Sequence, residues 1–227
     1  MKILLLLGLS IVAMSCFAQN SVNLELKKQL DAILLADQGI REFGDTETSD
    51  KRKDTLAVLL NYPRAALNKS AYAISRKIDS ANLEKVERII KEYGYPGKTM
   101  VGEPANTAVF YVIQHSEKIS TYYPLIEKAG KTGELPFKYT AMMLDRKLGQ
   151  EGKAQVYGTQ VYMVMVLNPR TGKKEPFEYV IPIEDAKNVN KRRKEAGFES
   201  TVEENTLKFG FAYKEYTIEQ INKIVKP

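Results

Sequence analysis

His115 is the sole histidine of this 227-residue chain, and that one imidazole bounds the chemistry the sequence can hold. An imidazole titrates near neutral pH, so a single one serves as general acid or base once a carboxylate orients it. One histidine cannot build a zinc site of two or more histidines, nor a two-histidine, one-carboxylate iron site. Cys16 is the only cysteine, so no thiolate set is available either. A carboxylate-only Mg²⁺ or Ca²⁺ site stays open by composition, but no loop has calcium-ligand spacing, and no metal is expected. Neither a G-x-S-x-G elbow nor a G-x-x-x-x-G-K phosphate loop occurs. No other cofactor is expected, because no ATP or nicotinamide motif is present.

Several polar residues are candidates to work with His115. Gln114 precedes it. Asp145 or Asp37 would orient the ring, making His115, Asp145 and Asp37 the catalytic candidates. Arg146 suits an anionic group, because a guanidinium binds carboxylate or phosphate through two parallel bonds. The stretch Gln155-Val156-Tyr157-Gly158-Thr159-Gln160 is rich in amide and hydroxyl groups. On a strand, Gln155, Tyr157 and Thr159 would point one way, and Gly158 would mark a bulge or a close backbone approach. Gln114, Arg146, Gln155, Tyr157, Thr159 and Gln160 are therefore the candidate substrate-binding residues. Plain structural accounts stand beside each of these. His115 shares a helical face with Tyr111 and Val112, so it reads also as a core-edge histidine bonded to a carbonyl. Asp145-Arg146 reads as a helix-end ion pair, and Arg192-Arg193 as exposed helix charge.

These residues need elements to position them. Leu26, Leu30, Ile33 and Leu34 recur at helical steps, and the stripe continues into Asp37 and Arg41, four apart. Residues 42–54 are charged and rich in Thr and Ser, which predicts an exposed loop or insertion near 42–55. Leu56 to Leu60 is apolar, and Pro63 ends one helix and starts another. Asp79 or Ser80 would cap a helix carrying Leu83, Val86, Ile90 and Tyr93, stopped by Gly94. Pro104 opens a nearly all-apolar central helix, Ala105 to Ile113, that ends in Gln114-His115-Ser116. A helix over Tyr122 to Ala129 would close at Gly130. Phe137, Ala141, Leu144 and Leu148 mark another, with Asp145-Arg146 near its end.

The period then changes. Gln155 to Leu167 reads as a strand, Asn168 to Gly172 as a turn, and Phe177, Tyr179, Ile181 and Ile183 as the antiparallel return. Asp185 to Ala196 is a polar helix closed by Gly197. Thr217-x-x-Gln220 is a capping box opening the last helix. The fold class is α+β: a mainly helical N-terminal part, then a small antiparallel β-hairpin or sheet, then C-terminal helices. Residues 19–227 form a single domain, long enough to bury roughly 70% of its unfolded surface.

Lys2 before an apolar run to Met14, then Ala18 and Gln19, has the layout of an export signal spanning 1–18. The run is shorter than the about 20 residues a bilayer span needs, so no transmembrane helix is expected in the mature form. Ser15-Cys16 admits a lipid anchor at Cys16 as the less favoured alternative. The expected location is extracytoplasmic, periplasmic or secreted, with no disulfide available to the fold. The net charge of +6 is dispersed in clusters without interleaved aromatics, which argues against nucleic acid as a partner.

The order of several motifs carries a resemblance. These are Asp37-Gln38-x-x-Arg41, Asp79-x-x-Asn82, Tyr93-Gly94-Tyr95-Pro96 and Val101-Gly102. Gln114-His115, Asp145-Arg146 and Gln155-x-Tyr157-Gly158-Thr159-Gln160 follow, then Pro182-Ile183-x-Asp185 and Arg192-Arg193-x-x-x-Gly197. Together they resemble an uncharacterised bacterial family, the domain of unknown function numbered 6624. The match covers most of the mature chain, and the stretch between Arg41 and Asp79 is longer than the family pattern. The resemblance implies no activity. Its signature pieces coincide with the residues singled out above.

Two functions fit. One is an enzyme with a pocket for a small polar or anionic ligand, catalysing acid–base hydrolysis or group transfer on an envelope component by water activation. The other is a non-catalytic envelope interaction or structural module, whose polar residues form a buried network.

Overall fold

The computed structural model describes residues 22–225; the expected export signal and Cys16 lie outside the described residues. The N-terminal part is helical: α1 (Leu24–Gly44), α2 (Asp50–Leu59), α3 (Arg64–Tyr93), the single turn α4 (Lys98–Val101), α5 (Ala108–Gln114), α6 (Ile119–Lys131) and α7 (Phe137–Gln150). Then come β1 (Val161–Leu167) and β2 (Lys174–Val180), followed by α8 (Val189–Glu195), α9 (Val202–Leu207) and α10 (Ile218–Val225). Short 3₁₀ turns, Ala105–Thr107 and Ala186–Asn188, lead into α5 and α8. The α+β expectation holds.

Helix α5 is the centre. Ala108, Val109, Phe110 and Ile113 are fully buried, as the unbroken apolar run predicts. Around it pack Leu26, Leu30 and Ile33 of α1, Val86 and Ile89 of α3, Ile126 of α6 and Met143 of α7. Each such side chain contributes about 1.5–3 kcal/mol by leaving water. A second cluster joins the far half of α1 (Ile40, Phe43) to Leu56 of α2 and to Leu67, Ile74 and Ile78 of α3. A third, smaller one holds Val180, Val189 and Val202 beneath the hairpin. Asp37 therefore falls on α1 between Ile33 of the first cluster and Ile40 of the second, with no exposure at all.

The hairpin pairs β1 with β2 antiparallel from Val161↔Val180 to Leu167↔Lys174. Its tip leaves Met163, Met165 and Leu167 exposed, while its base buries Tyr179, Val180 and Ile181.

Five local expectations change. Residues 42–44 and 50–54 are not loop: α1 runs to Gly44, and Ser49 caps α2, its Oγ accepting from the Arg52 N–H, so only residues 45–49 connect the helices. Asp79 and Ser80 do not cap a helix, because they lie inside α3, which runs from Arg64 with a kink at the non-helical Ser70; Pro63 starts it and Gly94 stops it. Gly130 does not close α6 but lies inside it. The strand does not begin at Gln155: residues 155–160 form a loop, with one parallel bridge, Gln155↔Ile183. Helix α9 is an addition, nucleated by a capping box between Thr201 and Glu204. The Thr217–Gln220 box forms as expected.

Gly130 is needed for the approach of α6 to α7. A Cβ there would sit 2.1 Å from Thr140 Oγ1, the hydroxyl that donates to the Ile126 carbonyl. We expect Gly130→Ala to destabilise the fold by about 1–3 kcal/mol. A urea denaturation midpoint unchanged from wild type would contradict this tight packing.

Candidate functional site

The continuation of the α1 apolar stripe into Asp37 and Arg41 buries a carboxylate where a hydrophobic residue would otherwise sit. Isolated, it would cost several kcal/mol. It is not isolated. Asp37 Oδ2 accepts from Gln38 Nε2 at 2.6 Å. Asp37 Oδ1 lies 3.4 Å from Arg41 Nη1 and 3.2 Å from His115 Nδ1. Arg41 also donates from Nη1 to the Asp37 carbonyl at 2.7 Å, and from Nη2 to Asp79 Oδ1 at 2.8 Å. Three helices thus meet here: α1 brings Asp37 and Arg41, α3 brings Asp79, and the end of α5 brings His115.

His115 follows the last residue of α5 and stays partly exposed. Its Nδ1 faces a carboxylate oxygen, which only accepts, so in the neutral ring the contact favours the tautomer with the hydrogen on Nδ1 and the lone pair on Nε2. Together with Asp79, His115 lines a cleft of about 250 Å³ between α3 (Arg76, Leu83) and the turn entering α6 (Ser116, Lys118). A broader hollow of about 690 Å³ lies over Ile218 and Lys223 of α10, but it is an open groove on a surface helix, away from these groups.

Asp37, Asp79 and His115 offer ligand atoms within 4.8 Å of one another. Arg41 already contacts both carboxylates and supplies positive charge between them, so a divalent cation would have to displace a guanidinium. The set is best described as a carboxylate–guanidinium–imidazole network.

The remaining sequence-selected residues form a second network. Asp145, fully buried on α7, accepts from the N–H groups of Val156 (2.8 Å), Tyr157 (3.0 Å) and Thr159 (3.0 Å), and from Thr159 Oγ1 (2.9 Å). Burial pushes its carboxyl above the usual value, against the downward pull of these donors. Gln155, also fully buried, donates from Nε2 to the carbonyls of Gln160 (3.0 Å) and Ile181 (2.7 Å), while its Oε1 accepts from the Gln160 N–H. Gly158 adopts φ +67° where a Cβ would meet Ile183 Cδ1 at 2.8 Å. From the other side, Arg192 Nε donates to the Val156 carbonyl and Arg193 Nη1 to that of Tyr157. Arg193 is 2% exposed, which corrects its reading as surface charge; burial lowers its pKa.

The residues selected from the sequence are thus divided. His115 and Asp37 are in direct contact. Asp145, Gln155 and Thr159 bond the loop to itself and to α7, and Gln160 caps that clamp. Tyr157 lies at the same loop, its ring 6.3 Å from Phe198. Arg146 is next to Asp145 but turns to the other network, donating from Nη1 to the Gln114 carbonyl at 3.1 Å. Asp145-Arg146 is accordingly no ion pair among the described residues. Asp79 and Arg41 stand among the motifs of the resemblance, but sequence reasoning gave neither a role in the site. The signal for Asp79 is its place one turn before Leu83 and two before Val86, the polar start of an apolar stripe, as Asp37 is the polar end of another.

The family model described as a family of unknown function, DUF6624, matches residues 25–213. The chain belongs to DUF6624. The match takes in every residue of both networks and stops short of α10. No curated protein and no solved structure matches the chain. Among the described residues, no helix is long and apolar enough to cross a membrane.

Proposed function

We propose that this DUF6624 chain is an exported enzyme whose His115–Asp37 pair performs acid–base hydrolysis or group transfer on a polar component of the cell envelope. The observation that carries the proposal is the 3.2 Å contact between His115 Nδ1 and a wholly buried Asp37, at the wall of a cleft. Asp37 holds the tautomer, and Nε2 takes a proton from water as the water attacks. The imidazolium, steadied by Asp37, then returns that proton to the leaving group. Arg41 and Asp79 hold Asp37 in place. Export rests on Lys2, the apolar run to Met14 and the small residues before Gln19, with a lipidated Cys16 as the alternative mature form.

The structural-module reading is favoured by a separate observation, the saturation of Asp145 and Gln155 by loop groups. That network explains the fold of residues 155–160 and does not involve His115.

Because His115 is the only histidine, a ¹⁵N-labelled sample yields one set of imidazole signals. Neutral His115 is expected to carry its hydrogen on Nδ1, and Asp37→Asn to shift that preference. A neutral wild-type ring protonated at Nε2 would remove the base that the proposal needs.

A further inference from the structure

Arg146 is a charge the acid–base pair does not use. Its Nε is buried with no hydrogen-bond partner among the described residues. Among the described residues, its one hydrogen bond is to a neutral backbone carbonyl, that of Gln114, and no carboxylate lies within salt-bridge distance. Asp37 and Asp79 are engaged by Arg41 instead. Burial, and to a lesser extent the neighbouring Arg41, lower the Arg146 pKa, with Tyr162 opposing. The guanidinium nonetheless stays charged, and a partly buried charge without a counter-charge costs several kcal/mol. Such a cost is tolerable where a ligand supplies the missing charge.

The geometry points to an anion subsite at the end of α5, in which Arg146 seats an oxyanion of the substrate, a carboxylate or a phosphate. With Nε buried and Nη1 on the Gln114 carbonyl, Nη2 is the guanidinium nitrogen left to meet an oxygen of either group. The subsite adjoins the catalytic group through the chain itself, since the residue whose carbonyl orients Arg146 is Gln114, immediately before His115. An anion there also opposes the positive charge that His115 gains when it takes a proton. This inference rests on the acid–base reading and adds the substrate's charge to it.

The test follows the His115 ¹⁵N signals while inorganic phosphate or acetate is added at constant ionic strength, with chloride as reference. In wild type, phosphate or acetate should give a saturable shift. Arg146→Gln should weaken it by about tenfold or more, and Arg146→Lys, which keeps charge but not the planar fork, should weaken it partly. Arg170→Gln, in the exposed hairpin turn, should leave it unchanged. Response to phosphate alone assigns a phosphate-bearing substrate, and response to acetate alone a carboxylate. No saturable shift in wild type, or the same affinity in Arg146→Gln, overturns the subsite. If Arg146→Gln does not fold, the lysine variant decides. The tautomer of anion-free His115, visible in the same spectra, reports separately on the acid–base pair, so the two ideas fail independently.

Discussion

Asp145→Ala should lower the thermal midpoint by about 6–20 °C, one of the largest stability effects expected of a polar side chain in this fold. Three backbone N–H groups and the Thr159 hydroxyl share its two oxygens. Each buried donor left without an acceptor costs about 1–3 kcal/mol, and relaxation of the loop recovers part of that. At about 2–4 °C per kcal/mol in a domain of this size, a net loss of about 3–5 kcal/mol lowers the midpoint by about 6–20 °C. Asp145→Asn keeps one accepting oxygen but turns an NH₂ toward donors, so it should fall between wild type and alanine. The rest of the clamp argues for cooperativity. Arg193 Nη1 and Arg192 Nε hold the carbonyls of the same segment whose N–H groups Asp145 holds. A double variant of Asp145→Asn with Arg193→Met should therefore lose less than the sum of the singles. Calorimetry of the four proteins measures both effects. A midpoint for Asp145→Ala within about 2 °C of wild type would show that the loop stands without this carboxylate.

His115→Gln should have the opposite profile. It should remove turnover by about 10²–10⁴-fold, the usual contribution of a positioned acid or base, while moving the thermal midpoint by no more than about 3 °C. Glutamine keeps an N–H donor near Asp37 but has no group that titrates near neutrality. His115 is partly exposed at a helix end, so little packing is lost. Asp37→Asn should also suppress turnover, through the ring tautomer, but with a clear stability cost, because it disturbs a fully buried group that Gln38 and Arg41 also contact. The assay is hydrolysis of chromogenic esters, phosphodiesters and glycosides, each measured with wild type and His115→Gln in parallel. Rates independent of His115 across the whole panel would count against catalysis and for the structural reading. The two residues thus separate the two functions proposed for one set of polar side chains: Asp145 reports on the fold, His115 on chemistry.

Helical periodicity carried most of the architecture. The apolar run Ala105 to Ile113 predicts the central helix because a segment apolar on every side has nowhere to go but the middle. The hairpin, its turn, Gly94, Gly197 and the Thr217 box follow from local backbone chemistry, which depends on neighbours in the chain. Local chemistry misleads where a residue has two uses. Asp79 and Ser80 are good caps, yet both sit inside a long helix, where the Asp79 carboxylate accepts from Arg41 of another helix instead of from its own backbone. Gly130 is a good stop, yet it stays helical because Thr140 of α7 needs the space. Residues 155–160 have strand composition, yet they curl because Asp145 collects amides that a ladder would otherwise pair.

The same division applies to His115. By itself the sequence determined that one imidazole is available, that it ends a buried helix, and that multi-histidine and thiolate metal sites are excluded. It offered two orienting carboxylates, Asp37 and Asp145, and could not choose between them. Tertiary structure decided for Asp37, because helix packing sets which side chains, 78 positions apart in this case, come within hydrogen-bond distance. It also turned Asp145 and Arg146, adjacent on α7, in different directions: one to a loop it saturates, the other to a charge left without a partner.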